Sequence, residues 1–194
     1  MKPKSKGKLA IFDTFKTKNQ ELTGEAKRQR EIITILGSNV NPAERTRTGI
    51  SQKIAKKQGI TWKNIYSGIF RDLDEILLPM GIAEENGRLP LKRGPKALQE
   101  KGIPYYHLTK KGILVGLSIN GIENMSSEFK KFFAESEPKE KEFANILSKF
   151  MTNSPTFTYS IFQKYVKAFC EDKIKELLPF DLSKLQDIPD ENLI

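Results

Sequence analysis

The sequence is poor in the residues that build disulfides, metal centres and catalytic triads. Its 194 residues include one cysteine, Cys170, and one histidine, His107. A lone cysteine forms no internal disulfide, and one cysteine with one histidine makes no zinc-ligand cluster. We therefore expect no metal and no cofactor, and we interpret Cys170 as a small, buried or partly buried hydrophobic residue.

Signs of catalysis are equally scarce. His107 has no obvious serine or cysteine partner, and no glycine-rich phosphate loop follows a predicted strand. The acidic pairs Asp72/Asp74 and Glu84/Glu85 are better interpreted as solvated faces than as acid–base pairs. The sequence therefore predicts no catalytic residues and a protein that is not an enzyme.

Long apolar runs are also missing. No run approaches the length that spans a membrane, and the lysine-rich start is not followed by the apolar core of a signal peptide. We expect a cytoplasmic protein without a membrane partner. Apolar residues make up 38% of the chain, enough for one substantial core or two small ones.

Positive charge is abundant and unevenly distributed. Residues 1–30 carry a net charge of +6, residues 31–122 carry +6, and residues 123–194 carry −3, within a total of +9. A positive field confined to one part of the chain favours nucleic acid, because binding releases counter-ions from the phosphates. The charge therefore places a nucleic-acid surface in the first two thirds of the sequence.

A short helix, a tight turn and a second helix are predicted around Ser51–Ile65. The first helix has an apolar side formed by Ile50, Ile54 and Ala55. Gly59 suits a left-handed turn, and the hydroxyl of Thr61 is placed to cap the second helix. Ile60 is expected to fill the corner between the two helices.

The second helix has one apolar stripe and one polar face. The stripe follows helical spacing and consists of Trp62, Ile65, Tyr66, Ile69, Leu73, Ile76 and Leu77. The polar face holds Lys63, Asn64, Ser67 and Arg71, which are donor and acceptor types that contact base edges and phosphates. These four are also what an ordinary solvated helix surface would show. The acidic residues from Asp72 onward favour contact through the first half of the helix.

A β-wing is predicted after this helix. Ile82–Glu85 alternates as a short edge strand, Asn86-Gly87 is a strong turn pair, and the returning strand is placed at Ile103–Leu108. Between them lies a basic stretch interrupted by two prolines, with Lys92, Arg93 and Lys96 where a wing tip would meet the DNA backbone or minor groove. A flexible solvated loop is the alternative.

The wing is followed by Tyr106-His107-Leu108-Thr109-Lys110-Lys111-Gly112, in which Thr109 can cap a helix from Lys110 to Ile119. This order of elements from Thr48 to Ile119 resembles the winged helix-turn-helix of prokaryotic and archaeal transcriptional regulators. The resemblance implies a DNA-binding fold. The length of the wing departs from the pattern and affects only its assignment to a groove.

The segments before the turn add basic residues. Lysines at positions 2, 4, 6 and 8 suggest an arm along a phosphate backbone or a merely solvated terminus, and the apolar segment Leu9–Phe15 needs a partner in the core or on another subunit. A first helix is predicted from Gly24 to Leu36, and Asn41-Pro42 can cap an extra helical turn. Arg45 and Arg47, in the loop that follows, are further candidate nucleic-acid contacts.

The last part of the chain is acidic and rich in phenylalanine. Three amphipathic helices are predicted; their apolar residues include Phe129, Phe132 and Phe133, then Phe143, Ile146, Leu147, Phe150 and Met151, then a last helix after Pro155 with Ile161, Phe162, Tyr165, Val166, Phe169, Ile174, Leu177 and Leu178. The sequence leaves three roles open for these apolar stripes: packing within the chain, formation of a dimer, or lining of a small-ligand pocket.

The sequence therefore predicts a mainly α protein with a small β-wing (α+β). Its expected parts are a basic arm at 1–23, a winged helix-turn-helix domain at 24–122 and a helical packing or dimerisation region at 123–194. The expected function is binding of double-stranded DNA in transcription regulation, in the cytoplasm at the nucleoid, with the C-terminal helices as a dimer seam. An RNA-binding or ribonucleoprotein module and a winged-helix adaptor for protein partners are the alternatives.

Overall fold

The computed structural model describes residues 7–16, 19–38, 40–90, 102–119, 125–134 and 138–186. Within these ranges the chain is mainly helical, with one two-stranded antiparallel sheet, which confirms the α+β class at that level. The chain divides into two compact units, Met1–Gly112 and Ile113–Ile194. This division falls ten residues before the boundary that we expected between residues 122 and 123.

The first unit holds most of the predicted elements. In chain order they are α1 (Gly24–Ser38), a 3-10 turn (Pro42–Arg45), α2 (Arg47–Gln58), α3 (Lys63–Arg71), a π-helical segment (Asp72–Leu77), β1 (Ala83–Leu89), β2 (Ile103–Leu108) and the start of α4 (Lys110–Ser118). The extra turn predicted at Asn41-Pro42 is confirmed, because the Asn41 side chain accepts a hydrogen bond from the Ala43 amide. The returning strand at Ile103–Leu108 has the predicted bounds.

The turn between α2 and α3 is built around Gly59. This residue has φ +66°, and its amide and that of Ile60 bond back to the carbonyls of Lys56 and Ala55, as in a Schellman motif. Ile60 is therefore not buried between the two helices, and 43% of its surface is exposed. Its predicted place in the corner is wrong.

The start of α3 also differs from the prediction. The helix begins at Lys63 without a side-chain cap. Thr61 contributes its backbone carbonyl, 3.0 Å from the Asn64 amide, instead of its hydroxyl. Trp62 and Tyr66, expected in the buried stripe, are half-buried and stack edge to face at 5.7 Å. The stripe is fully buried only from Ile69 onward.

α3 widens into the π-helical segment at its end. Here the Leu78 amide donates to the Leu73 carbonyl at 2.9 Å, which is five residues back instead of four. Leu73, Ile76 and Leu77 are buried. The wide turn therefore forms the buried end of this long helix and follows directly on its polar face.

The predicted Asn86-Gly87 turn is wrong, because β1 continues through it to Leu89. The pairing with β2 shifts between Glu85 and Gly87, so the pair forms a β-bulge. Gly87 has φ +133°, and a Cβ there would lie 2.8 Å from the hydroxyl oxygen of Tyr105. The same positive φ that suits a turn here serves a bulge instead.

Hydrogen bonds hold the backbone near both ends of the first unit. Thr109 caps α4 as predicted, accepting from the Gly112 amide at 3.1 Å. At the other end Leu9, Ala10 and Ile11 are buried, and the Ala10 amide donates to the Gln29 side chain at 2.8 Å. The apolar part of the N-terminal segment therefore packs on the chain's own α1.

The second unit contains the three predicted helices, α5 (Met125–Ala134), α6 (Pro138–Asn153) and α7 (Pro155–Cys170), and a 3-10 turn at Leu182–Leu185. Its core includes Phe132, Phe162, Tyr165 and Phe180. Ile174 and Leu177 are buried beyond the end of α7, so the last predicted helix was too long. Cys170 is buried as expected. None of the helices in the described ranges is both long and apolar enough to cross a bilayer.

Candidate nucleic-acid interface

The polar face of α3 is open to solvent. Lys63, Asn64, Ser67 and Arg71 are all exposed on this helix, which is about 14 Å long by the usual rise per residue. Among the residues that the structure describes, none pairs with the side chains of Lys63, Asn64 or Ser67. The face therefore offers an ammonium, an amide and a hydroxyl whose hydrogen-bonding capacity is unused within these ranges.

Sequence reasoning missed one member of this face. Phe70 lies seven residues after Lys63 and three after Ser67, so helical spacing puts it on the same side. Its side chain is 45% exposed. The spacing was a signal that could have identified Phe70, since an aromatic ring at this position can contact a thymine methyl group.

A groove lies where α3 faces α1. Its volume is about 400 Å³, and it is lined by Arg28, Asn64, Ile65, Ser67, Gly68 and Arg71. Gly68 makes room for Arg28, because a Cβ at this position would lie 3.0 Å from the Arg28 Nε atom. Sequence reasoning missed Arg28, since nothing near it in the chain indicates that it crosses α3.

The acidic residues at the end of α3 are neutralised instead of solvated. Asp72 is fully buried and accepts a hydrogen bond from Nε of Arg28. Asp74 accepts two hydrogen bonds from Arg47, one of them from Nε at 2.7 Å. The interpretation of Asp72 and Asp74 as a solvated face is therefore wrong. Their pairing reduces the repulsion of phosphate that we expected there.

Arg47 lies in an intramolecular cluster. Its guanidinium carbon is 5.4 Å from the centre of the Phe70 ring and 5.2 Å from that of Tyr106. The hydrogen bonds to Asp74 raise the pKa of Arg47 above its ordinary value. Burial raises the pKa of Tyr106 to about 12. Arg47 is thus placed to hold α2 against the π-helical segment.

The other predicted contacts fall into two groups. Arg45 is half-buried, with its guanidinium carbon 5.4 Å from the centre of the Tyr105 ring and Nη2 3.4 Å from the Val40 carbonyl. Lys92, Arg93 and Lys96, and the lysines at 2, 4 and 6, lie outside the described residues. Of the predicted contacts, the structure thus brings together the four residues of α3.

The lysines of α2 extend the positive surface. Lys53 and Lys57 pair with Glu44 and Glu31 at 2.7 and 2.6 Å. Lys56, between them, is exposed, and no partner for it lies within the described ranges. Exposed pairs of this kind are weak and exchange readily for phosphate contacts.

Metal chemistry has no candidate here either. Within the described ranges, no three histidine, cysteine, aspartate or glutamate side chains are grouped so that they could hold a metal ion. His107 lies on β2 with Nε2 3.1 Å from Oε1 of Glu84, across the sheet.

No family model matches the sequence, and neither a curated protein nor a solved structure matches it. The arguments for a function therefore rest on the geometry of the α3 face and its surroundings.

Proposed function

We propose that the protein binds double-stranded DNA with the exposed face of α3 in the major groove and acts as a transcriptional regulator of the winged helix-turn-helix type. The observation that carries this proposal is the set of exposed side chains Lys63, Asn64 and Ser67, which have no partner among the described residues. They stand on a helix that follows a tight turn from α2. The major groove is wide enough to admit such a helix.

The order of elements supports the same proposal. α1, α2 and α3 are followed by a two-stranded antiparallel sheet, and Thr46 forms an isolated antiparallel bridge with Tyr105 of β2. A bridge before α2 and a hairpin after α3 are what a wing beside a helix-turn-helix requires. In this proposal Lys92, Arg93 and Lys96 of the wing contact the backbone or the minor groove, and Arg45 lies next to the wing through Tyr105.

Charge neutralisation within the unit also supports the proposal. Asp72 and Asp74 would otherwise present two carboxylates at the end of the α3 face. Their pairing with Arg28 and Arg47 leaves Glu75 as the exposed carboxylate of this segment, beside the exposed cations of α3. A protein with these exposed cations would work at the nucleoid, within the cytoplasm.

The proposal is tested by duplex binding measured by fluorescence anisotropy. Lys63→Ala is expected to weaken binding to any duplex about tenfold, and Asn64→Ala to relax base preference by about 1–3 kcal/mol. Lys130→Ala is the control, because Lys130 is an exposed lysine on α5 in the second unit. Unchanged affinity in both α3 variants would remove α3 as the reading helix.

Parallel titrations with duplex RNA and with single strands separate DNA from the alternative partners. A duplex RNA has a deep, narrow major groove that does not admit a helix, so the α3 variants should not affect it as they affect DNA. Tighter binding of RNA would favour the ribonucleoprotein alternative. A wild-type protein that binds no nucleic acid would favour the protein adaptor.

We further propose that the second unit pairs two copies of the chain. Its support is an apolar patch of Ile146, Phe150 and Phe157, which are 53%, 41% and 48% exposed. The rings of Phe150 and Phe157 stack at 5.2 Å. A two-fold pair would present two α3 faces to two half-sites of a duplex.

A further inference from the structure

The groove between α1 and α3 lies on a different side of α3 from Lys63 and Phe70. Around the axis of α3, Asn64, Gly68 and Arg71 fall on the side toward α1, whereas Lys63 and Phe70 fall on the other side. The groove therefore lies beside the surface that would face the bases.

Two guanidinium groups meet in this groove around one buried carboxylate. Arg28 is held by its hydrogen bond to Asp72, and Nε of Arg71 lies 3.6 Å from the other oxygen, Oδ1, of the same carboxylate. Asp72 is fully buried, whereas the side chains of Arg28 and Arg71 are 22% and 53% exposed. Arg71 also forms an ion pair with Glu25, whose Oε2 lies 3.8 Å from Nη2 of Arg71.

One donor of the groove is buried and unsatisfied. Nη2 of Arg28 has no hydrogen-bond partner in the described part of the chain, and neither has the buried Oδ1 of Asp72. The side chains of Asn64 and Ser67 line the same space without a described partner. The two guanidinium groups face the carboxylates of Asp72 and Glu25, and Nη2 of Arg28 is left for an additional acceptor.

We infer that this groove binds one phosphate group of the DNA backbone, with Arg28 and Arg71 as its charged donors and Ser67 beside them. Asn64, at the edge of the groove, remains assigned to the base edges. This inference rests on the proposed function and deepens it. Asp72 fixes the guanidinium of Arg28, and Gly68 leaves the space through which that guanidinium reaches the groove. α1 thereby contributes a phosphate contact that sets the angle at which α3 enters the major groove.

The test compares two variants that alter the groove in different ways. Arg28→Gln removes the charge and keeps a donor for Asp72. Gly68→Ala keeps every charge and shifts the Arg28 side chain by a few tenths of an ångström, because the added Cβ would lie 3.0 Å from Nε. Both are titrated with a random-sequence duplex between low and high salt, with Lys130→Ala as the control outside the groove.

Loss of one phosphate contact lowers the slope of log affinity against log salt by about 0.9. At 0.1 M salt this corresponds to a roughly eightfold loss of affinity in Arg28→Gln, and the loss in Gly68→Ala should be smaller because both charges remain. The loss should be the same for every duplex sequence, because a phosphate carries no base identity. Urea unfolding followed by Trp62 fluorescence shows whether Gly68→Ala is folded. A loss of affinity caused by unfolding is then not mistaken for the loss of a phosphate contact.

Inorganic phosphate provides the second arm. Titrated alone against the wild type, it should shift the amide resonances of Ser67 and Gly68, and the shifts at Ser67 should be lost in Arg28→Gln. If inorganic phosphate binds while the duplex slope is unchanged in both variants, the groove takes a free phosphate and the backbone assignment is overturned. If neither probe responds to the variants, the groove is not a phosphate site.

The outcomes also separate this inference from the proposed function. A folded Arg28→Gln that binds duplexes like wild type, together with a weakened Lys63→Ala, overturns the groove and leaves the α3 proposal standing. A wild type that binds no duplex overturns both.

Discussion

Replacing Arg47 with methionine is expected to destabilise the first unit, although the sequence alone assigned Arg47 to nucleic-acid contact. The guanidinium makes two hydrogen bonds to Asp74 and lies against the rings of Phe70 and Tyr106. Methionine keeps an unbranched stem of similar length, so the substitution removes the charge and the hydrogen bonds while retaining most of the packing.

The magnitude follows from the burial of the pair. Breaking a fully buried ion pair by removing one partner costs about 3–5 kcal/mol. The side chains of Arg47 and Asp74 are 24% and 20% exposed, so water partly compensates the carboxylate that is left. We therefore expect the free energy of unfolding to fall by about 2 kcal/mol.

The measurement is urea unfolding followed by tryptophan fluorescence. The chain has a single tryptophan, Trp62, in the turn between α2 and α3, so its signal reports the first unit. With a slope of about 1.5 kcal/mol/M, a loss of about 2 kcal/mol lowers the midpoint by about 1.3 M. Arg71→Met is the matched control. Its guanidinium is 53% exposed, and the midpoint should change by less than about 0.3 M.

An unchanged midpoint in Arg47→Met would refute this reasoning. If the same variant lost duplex affinity, Arg47 would be free to contact phosphate, as its position in the sequence had suggested. A double substitution, Arg47→Met with Asp74→Leu, should recover part of the lost stability, because no carboxylate is then left without its partner.

Three further predictions concern other parts of the chain. Gly112→Ala should destabilise the first unit by about 2–4 kcal/mol in urea unfolding, because the added Cβ would lie 2.0 Å from the carbonyl oxygen of Ile82. Burial raises the pKa of Tyr106 and Tyr165 from 10.0 to about 12, so phenolate absorbance should show these two rings ionising last. Since the folded state favours their neutral form, the stability they contribute is complete below pH 10 and is lost as the pH rises toward 12. Phe150→Asp should convert a two-chain species into a folded monomer by light scattering.

Each of these predictions has a control. Gly24→Ala should be tolerated, since no heavy atom lies within 4 Å of a Cβ at that position, and equal loss in both glycine variants would contradict the steric argument. In urea all tyrosines should ionise together near pH 10, and simultaneous ionisation in the folded protein would contradict burial. Asn145→Asp, an exposed position of α6, should leave the oligomer unchanged. A wild type that is monomeric at high concentration would exclude the pairing of chains.

The helices were predictable because their signals are local. Apolar spacing identified α1, α2, α3 and the three helices of the second unit, and the hydroxyl of Thr109 correctly marked the start of α4. The four polar residues of α3 could be found for the same reason, since one helix face follows from spacing alone. Phe70 could have been added by the same rule.

The errors arose where the outcome depends on residues far away in the chain. Asp72 and Asp74 have no basic residue after them nearby in the sequence, and their partners Arg28 and Arg47 lie 44 and 27 residues earlier. No local pattern indicates that an acidic run is buried by such partners. The groove, which depends on Arg28, was missed for the same reason.

The two-stranded sheet shows a different kind of ambiguity. Asn86-Gly87 supplies a residue with positive φ, which a hairpin turn and a β-bulge both need. The choice between them depends on where the partner strand ends, and β2 extends to pair with Leu89. Residue propensity therefore identified the position with positive φ, but it did not decide between a hairpin turn and a β-bulge.

The orientation of α3 depends on the number of residues in the wide turn at Asp72–Leu77. An α-helix advances by about 100° per residue, so deleting one residue there would let the helix regularise and would rotate α3 against the core by about that angle. Arg28 and Arg47 reach their carboxylates only in the present phase. A change of one residue in length would therefore break both ion pairs and move the buried Ile69, so the face of α3 that is exposed depends on the number of residues in this turn.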